Sequence, residues 1–385
     1  MLGIYVHVPF CERKCIYCAF SSFTNKDSEE EKYISHLIKE IVDTANNLAK
    51  KSRDVDSIYI GGGTPSILSL HNIELILVAI RQNFIVAKDC EITIECNPNS
   101  ISYEKLKFYK KLGINRISLG VQSLYDEDLK FLNRLHNSHQ VIDVIKSAKE
   151  AGFENISVDL LIGIMGQTKQ SFISQLKILK DLGVKHFSCY MLQIEDGTLL
   201  KSMLDKNLIT LPNDDQSVEI YNACANYLKE NGFERYEVSN FALKGYESRH
   251  NSKYWLGEDY IGFGLSAHSY INKVRSANSS VFENYYENKK CFEEKLTNEE
   301  LIEEHIMLGL RCKYGVDKNY LQSLGYNIEK NNNFKELKEK CLYCNNLIDY
   351  KKIEQKSKDS SGNFEQKDNI VTFINLGRHD EKQKK

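Results

Sequence analysis

Six short apolar runs, separated by longer stretches of helical periodicity, fill the first two hundred residues, and nothing else narrows the fold as far. The runs lie at 2–8, 56–60, 91–95, 116–119, 156–160 and 186–192, with helical patterns at 28–50, 69–84, 101–111, 138–150 and 168–182. Gly113, Gly152 and Gly183 stand just past three of the helical stretches, where a helix stop is expected. Repeated strand–helix units predict an α/β fold, a parallel sheet curled into a partial, TIM-like (β/α)6 barrel. In such sheets the chemistry sits at the carboxyl ends of the strands. Residue types agree with that rule. The six runs lead into Pro9-Phe10-Cys11, Gly61-Gly62-Gly63-Thr64-Pro65, Glu95-Cys96-Asn97-Pro98, Gly120-Val121-Gln122, Asp159, and Gln193 with Glu195.

A turn at Pro212–Asp215 suggests a boundary. The expected organisation is a barrel over 1–212, an extension over 213–295, and a small, mainly helical C-terminal domain over 296–385. The tail from Gln355 is polar and charged, with a short hairpin expected around 369–373. The 51 basic and 53 acidic residues nearly cancel, so no excess of positive charge argues for nucleic acid as a partner. No window approaches the 18 apolar residues of a membrane span, and MLGIYVHVPF runs directly into a strand, so a cytoplasmic protein is expected. Its eleven cysteines should then stay reduced, the clustered ones serving a metal and the scattered ones the core. Cys90, Cys96, Cys189, Cys224, Cys291 and Cys312 are read as buried small hydrophobes.

Cys11, Cys15 and Cys18 form a C-x3-C-x2-C motif directly after the first strand. A cuboidal [4Fe–4S] cluster has four irons, so three thiolates leave one iron without a protein ligand. That iron can chelate the amino and carboxylate groups of S-adenosylmethionine, and an electron from the cluster can cleave its sulfonium bond. A zinc site and three unrelated cysteines are the alternatives. Zinc usually takes paired C-x2-C units, and the nearest such pair, Cys341 and Cys344, lies over three hundred residues away. That pair itself reads more simply as small-domain core.

The Gly61–Pro65 turn is no P-loop, because no Gly-Lys-Ser/Thr follows. Its glycines let the backbone approach a ligand closely, and its carbonyls suit an amino group. Glu95 suits an ammonium or a ribose hydroxyl, Arg134 a carboxylate, and Gln122 and Asp159 further polar contacts. Tyr17 suits an adenine face.

The motifs YVHVPFCERKCIYCAF, YIGGGTPS, IECNPNS, RISLGVQS, ISVDLLIGIMGQT and YEVSNFA followed by SRHNSKYW resemble the radical S-adenosylmethionine proteins related to oxygen-independent coproporphyrinogen III oxidase. More narrowly they are similar to that family's heme-chaperone branch. The resemblance spans about residues 2–320. It implies that Tyr5, Tyr17, Gly62, Gly63, Thr64, Glu95, Gln122, Arg134 and Asp159 fall where S-adenosylmethionine is contacted. Three features favour the chaperones over the oxidase. Phe20 stands where the oxidase has a further cysteine, only four residues precede Tyr5, and His250-Asn251-x-x-Tyr254-Trp255 looks like the chaperones' signature. Ile164-Met165-Gly166 departs from the family's usual Leu-Pro-Gly.

The resemblance further implies one heme per chain and its transfer to an acceptor protein, expected to be a respiratory membrane enzyme. A cluster-dependent dimer belongs to the same set of expectations. Heme iron takes an axial His, Cys, Met or Tyr, which makes His250 the leading ligand and His268 a weaker one. The competing reading of His250 is a structural histidine. The competing function is a radical enzyme that decarboxylates coproporphyrinogen III or acts on another tetrapyrrole.

Overall fold

The computed structural model describes residues 1–49 and 52–327, together with the backbone of two short strands, Tyr343–Cys344 and Leu347–Ile348. The chain divides into two compact units, Met1–Thr297 and Asn298–Lys385. The side chains of Cys341 and Cys344, the hairpin expected at 369–373 and the charged tail lie outside the described residues.

All six expected strands form in the first unit: β1 (Leu2–Val8), β2 (Asp54–Gly62), β3 (Ile85–Cys96), β4 (Arg116–Gln122), β5 (Asn155–Ile162) and β6 (His186–Met191). They pair in parallel and in sequence order. Besides a short helix, Asp126–Phe131, five longer helices separate them: Glu30–Asn47, Leu70–Asn83, Tyr103–Lys111, Ser138–Glu150 and Lys169–Asp181. Ser69, Ser102, Asn137 and Thr168 cap the last four of these by accepting from a backbone N–H three residues on. Gly113, Gly152 and Gly183 follow three of the helices with φ of +82°, +89° and +87°, the left-handed stop read from the sequence.

The sheet extends beyond the six strands. Residues 213–295 contribute β7 (Glu234–Arg235), β8 (Asn240–Ala242), β9 (Tyr260–Phe263), β10 (His268–Ile271), β11 (Val274–Asn278) and β12 (Lys290–Lys295). The order is β12-β11-β10-β9-β1-β2-β3-β4-β5-β6-β8-β7, so the sheet is open, and β9 adds a seventh parallel strand beside β1. One expectation about the core is corrected at its edge. Cys291 is exposed because it lies on β12, the outermost strand, whereas Cys90, Cys96, Cys189, Cys224 and Cys312 are buried.

Strict alternation gives the two faces of the sheet opposite characters. One face carries Ile4, Val6, Ile58, Ile60, Ile92, Ile94, Ile117, Leu119, Ile156, Val158 and Phe187, packed in one core with helix residues such as Leu37, Ile76, Leu106, Ile145 and Leu176. The register places Tyr5 beside Tyr59, Glu95 beside Ser118, and Asp159 beside Ser188 on the other face. The hydrophobic core is therefore a shell outside the strands, and the barrel interior is polar.

In the second unit, helices Asn298–Gly309 and Lys318–Ser323 enclose a small core of Val316 and Leu321 with Ile302, Ile306, Leu310 and Tyr326.

Candidate cofactor site at the carboxyl ends of the strands

The loop after β1 is closed on itself. Cys11 N donates to Phe23 O at 2.9 Å, and Phe23 N donates to Pro9 O at 2.7 Å. Lys14 Nζ ties the inside of the loop by donating to Phe20 O at 2.8 Å and Ser22 O at 3.2 Å. A neighbouring turn and a neighbouring helix hold it from outside. Asn133 Nδ2 donates to Lys14 O at 2.8 Å, and Leu200 N to Ile16 O at 2.8 Å. Cys11, Cys15 and Cys18 are thus fixed in place while remaining partly exposed.

A chain of hydrogen bonds joins two of these thiols through three strand ends. Cys11 Sγ lies 3.5 Å from Thr64 Oγ1. Thr64 Oγ1 accepts from Asn97 Nδ2 at 3.0 Å, and Asn97 Oδ1 accepts from Arg134 Nη2 at 2.6 Å. Arg134 Nη2 also donates to Gly120 O at 2.6 Å, and Nη1 lies 3.3 Å from Cys15 Sγ. The circuit links residues that follow β1, β2, β3 and β4. Asn97 and Gly120 lie within quoted motifs and at strand ends, but the sequence assigns neither a role in the site. A Cβ on Gly120 would stand 3.1 Å from both Arg134 Nη2 and Asn97 Oδ1 and 3.3 Å from Gln122 Nε2, which accounts for the glycine.

The glycine turn meets the cysteine loop directly. Gly63 N donates to Val8 O at 2.7 Å and Thr64 N to Phe10 O at 2.8 Å. A Cβ on Gly63 would stand 2.6 Å from Phe10 O and 3.0 Å from Cys11 Sγ, so only glycine fits there. Gly62 has φ of +114°, and its N–H donates to Glu95 Oε2 at 3.0 Å. Tyr59 Oη donates to Glu95 Oε1 at 2.7 Å. Burial, with the Asp159 carboxylate adding to it, pushes Glu95 up to about 7 against these two bonds. Burial likewise raises Asp159, against a hydrogen bond from Ser188 and the charges of Arg116 and Arg134. Gln122, at φ of +66°, is a non-glycine residue in the left-handed region, the kind of local strain that gathers at functional sites. Tyr17 packs on Leu132, Leu161 and Ile164, and burial followed by the Cys15 thiol keeps its phenol protonated.

These residues fit a cluster and an amino-acid-like ligand. Among the described residues, no three His, Cys, Asp or Glu side chains converge closely enough to hold a single metal ion. A four-iron cluster needs a wider arrangement, one thiolate at each of three corners, which three cysteines of one loop can supply. Beside them, Arg134 Nε is buried without a hydrogen-bond partner among the described residues, a donor left for a ligand.

His250 lies away from this rim. Helix Arg249–Leu256 packs at the amino ends of the strands, where Glu91 Oε2 accepts from Arg249 N and Oε1 from His250 N, both at 3.0 Å. Lys253 Nζ, almost fully buried, pairs with Asp56 at 2.9 Å and donates to Met1 O at 2.9 Å. The His250 ring is 1% exposed, with Nδ1 at 3.0 Å from Ser57 Oγ and Nε2 at 2.8 Å from Tyr254 Oη. Burial, with the charges of Lys253 and Arg116 adding to it, lowers its pKa to about 3. Its two nitrogens are both engaged, and it stacks on Tyr59 at 5.4 Å and Tyr5 at 6.4 Å between ring centroids. Tyr5 Oη in turn bonds His7 Nδ1 at 3.0 Å, so Tyr5 stands between the two ends of the barrel. His268, on β10, is half-buried with its ring 5.7 Å from that of Phe292.

An open α/β barrel carrying three cysteines in the loop after its first strand defines a class, and the family described as "Radical SAM superfamily" matches residues 5–179. The heme chaperone HemW of Bacillus subtilis is 36% identical over 326 residues, covering 83% of this chain and 85% of that protein. Heme chaperone HemW of Lactococcus lactis is 37% identical, covering 81% of this chain and 82% of its own. Among solved structures, coproporphyrinogen III oxidase (HemN) from Escherichia coli, a radical SAM enzyme, is similar with a TM-score of 0.74 and 25% identity, covering 84% of this chain and 79% of that one. The chain belongs to the radical SAM superfamily and, within it, to the family of the HemW proteins. Among the described residues, no helix is long and apolar enough to cross a membrane.

Proposed function

We propose that this chain is a heme chaperone of the cytoplasm that holds a [4Fe–4S] cluster on Cys11, Cys15 and Cys18 with S-adenosylmethionine against its open iron. The observation that carries the cofactor part is the circuit Cys11–Thr64–Asn97–Arg134–Cys15, which couples the thiols to residues suited to an amino acid. The heme part is supported by membership of the HemW family. When bound, the cluster would supply one electron to a sulfonium. The chain's own residues do the positioning. The Gly62–Gly63 turn offers backbone to the amino group, with Glu95 behind it. Arg134 faces the carboxylate through Nε, and Gln122 and Asp159 line the remaining polar wall. Tyr17 covers the side next to the thiols, and Tyr5 supports Glu95 through Tyr59, on which it stacks at 6.2 Å. His250 serves this reading by closing the far end of the barrel, and ligation of heme iron through it requires the Ser57 or Tyr254 bond to open.

The likeness to HemN keeps coproporphyrinogen oxidation as the rival reading. Against it stands Phe20, 70% exposed at the position where the oxidase pattern has a cysteine. Two assays on anaerobically reconstituted protein test the proposal. Heme titration should give a saturable absorbance spectrum, and coproporphyrinogen III with S-adenosylmethionine and a reductant should give no protoporphyrinogen. Multiple turnovers in the second assay, or no saturation in the first, would overturn the chaperone reading.

A further inference from the structure

The polar interior of the barrel contains one cation with no evident use. Arg116 of β4 is 1% exposed and lies in register between Thr93 of β3 and Asn155 of β5. Its Nε and Nη1 have no hydrogen-bond partner among the described residues, and neither do Thr93 Oγ1 and Asn155 Oδ1 beside it. A guanidinium stripped of water and left short of hydrogen bonds is tolerated only where nearby anions compensate. The acids around it are Glu91, Glu95 and Asp159. Glu91, the strongest of the three on Arg116, also accepts from the backbone N–H groups of Arg249 and His250 at the amino ends of the strands. The two that remain are carboxylates of the proposed S-adenosylmethionine wall.

We propose that Arg116 is a positioning residue for that site: it acts through Glu95 and Asp159, keeping them as the carboxylates that a cationic ligand must meet. The inference rests on the cofactor assignment given under Proposed function. Hydrogen bonds from Tyr59 Oη and Gly62 N–H do most to favour the Glu95 carboxylate, and Arg116 adds the positive charge among the groups that face it. Tyr59 of β2 donates to Glu95 as a neutral phenol, and Asp159 of β5 opposes its ionisation. Burial holds Tyr5 of β1 and Tyr254 of the Arg249–Leu256 helix protonated, and Cys96 on the same strand as Glu95 is a buried thiol. With Arg116 present, burial still pushes Glu95 up to about 7. Without that positive charge the midpoint moves higher, and less carboxylate is available at neutral pH.

The test uses cluster-loaded protein under anaerobic conditions. S-adenosylmethionine affinity is measured across pH for the parent, for Arg116→Met and Arg116→Gln, and for Arg116→Lys. In parallel, the Glu95 carboxyl is followed by carbon-13 NMR, assigned with Glu95→Gln. In the parent, affinity should fall as pH drops through about 7. In either neutral variant that folds, the affinity and NMR midpoints should both rise by on the order of one unit, weakening binding about threefold near pH 7.5. Arg116→Lys should restore the parent profile. Unchanged midpoints in a folded neutral variant overturn the role of Arg116. A shifted NMR midpoint in a protein that binds no S-adenosylmethionine upholds Arg116 and overturns the cofactor assignment instead.

Discussion

Replacing His250 by alanine asks directly whether this histidine belongs to the architecture. The truncation strands Ser57 Oγ, which is fully buried, and Tyr254 Oη, which is half-buried. A buried polar group left without its partner costs about 1–3 kcal/mol, and the space vacated by the ring adds about 1–2 kcal/mol. The expected loss is about 4 kcal/mol, a large share of a typical domain's stability. Equilibrium denaturation followed by fluorescence suits the question, because the only tryptophan, Trp255, sits on the same helix as His250. The pH dependence carries a second signature. The folded ring stays neutral down to about 3, so the stability it contributes is present above the unfolded value of 6.5 and is lost as pH falls toward about 3. The gap between parent and variant should therefore narrow in acid. A variant within about 0.5 kcal/mol of the parent that has lost its heme spectrum would refute the architectural argument and make ligation the residue's role.

Three further outcomes follow from the rim. Gly63→Ala forces a Cβ to within 2.6 Å of Phe10 O and 3.0 Å of Cys11 Sγ, so it should cost about 1–3 kcal/mol and lower the iron bound per chain after reconstitution. Full iron content with unchanged unfolding would count against the close-approach argument. Arg134→Lys cannot reproduce a fork that reaches Asn97, Gly120 and Cys15 together, so S-adenosylmethionine affinity should fall at least about tenfold while cluster absorbance persists. Equal affinity would mean the guanidinium geometry is not used. Brief alkylation of the folded chain should label Cys291 ahead of Cys90, Cys96, Cys189 and Cys224, read by peptide mass spectrometry. Labelling of the buried four at the same rate would contradict the packing of the shell.

Much of the barrel was legible because its signals are local. A strand of alternating character, a capping residue and a glycine stop all lie within a few positions of one another, and β1 to β6 emerge where those signals fall. The cysteine motif was legible for the same reason, since all three thiols sit in one loop. β7 to β12 were not placed in the same sheet because strands of two to six residues carry little periodicity, and β9 joins β1 across more than 250 residues. The roles of Asn97 and Gly120 were obscure for a related reason. They matter through Arg134, Thr64 and Gln122, which come from other strand ends, and no spacing in the chain records those contacts.

The alternation along the strands held information beyond their existence. Taken alone, the alternation in Glu91-x-Thr93-x-Glu95 and Arg116-x-Ser118-x-Gly120 would equally suit a half-exposed strand with its polar face turned to water. In the structure that face turns inward, and Arg116, Thr93 and Ser118 are almost wholly buried. Sequence periodicity distinguishes two faces but cannot say which one meets solvent. What decides it is coverage: the helices between the strands present apolar stripes, so they must lie on the apolar face and leave the polar one to line the interior. An interior built this way brings Glu95, Asp159 and Arg116 together away from bulk water, where charge acts over a longer range than at a surface. The same inversion that hides the core from a strand-by-strand reading is therefore what gives the rim its electrostatic character.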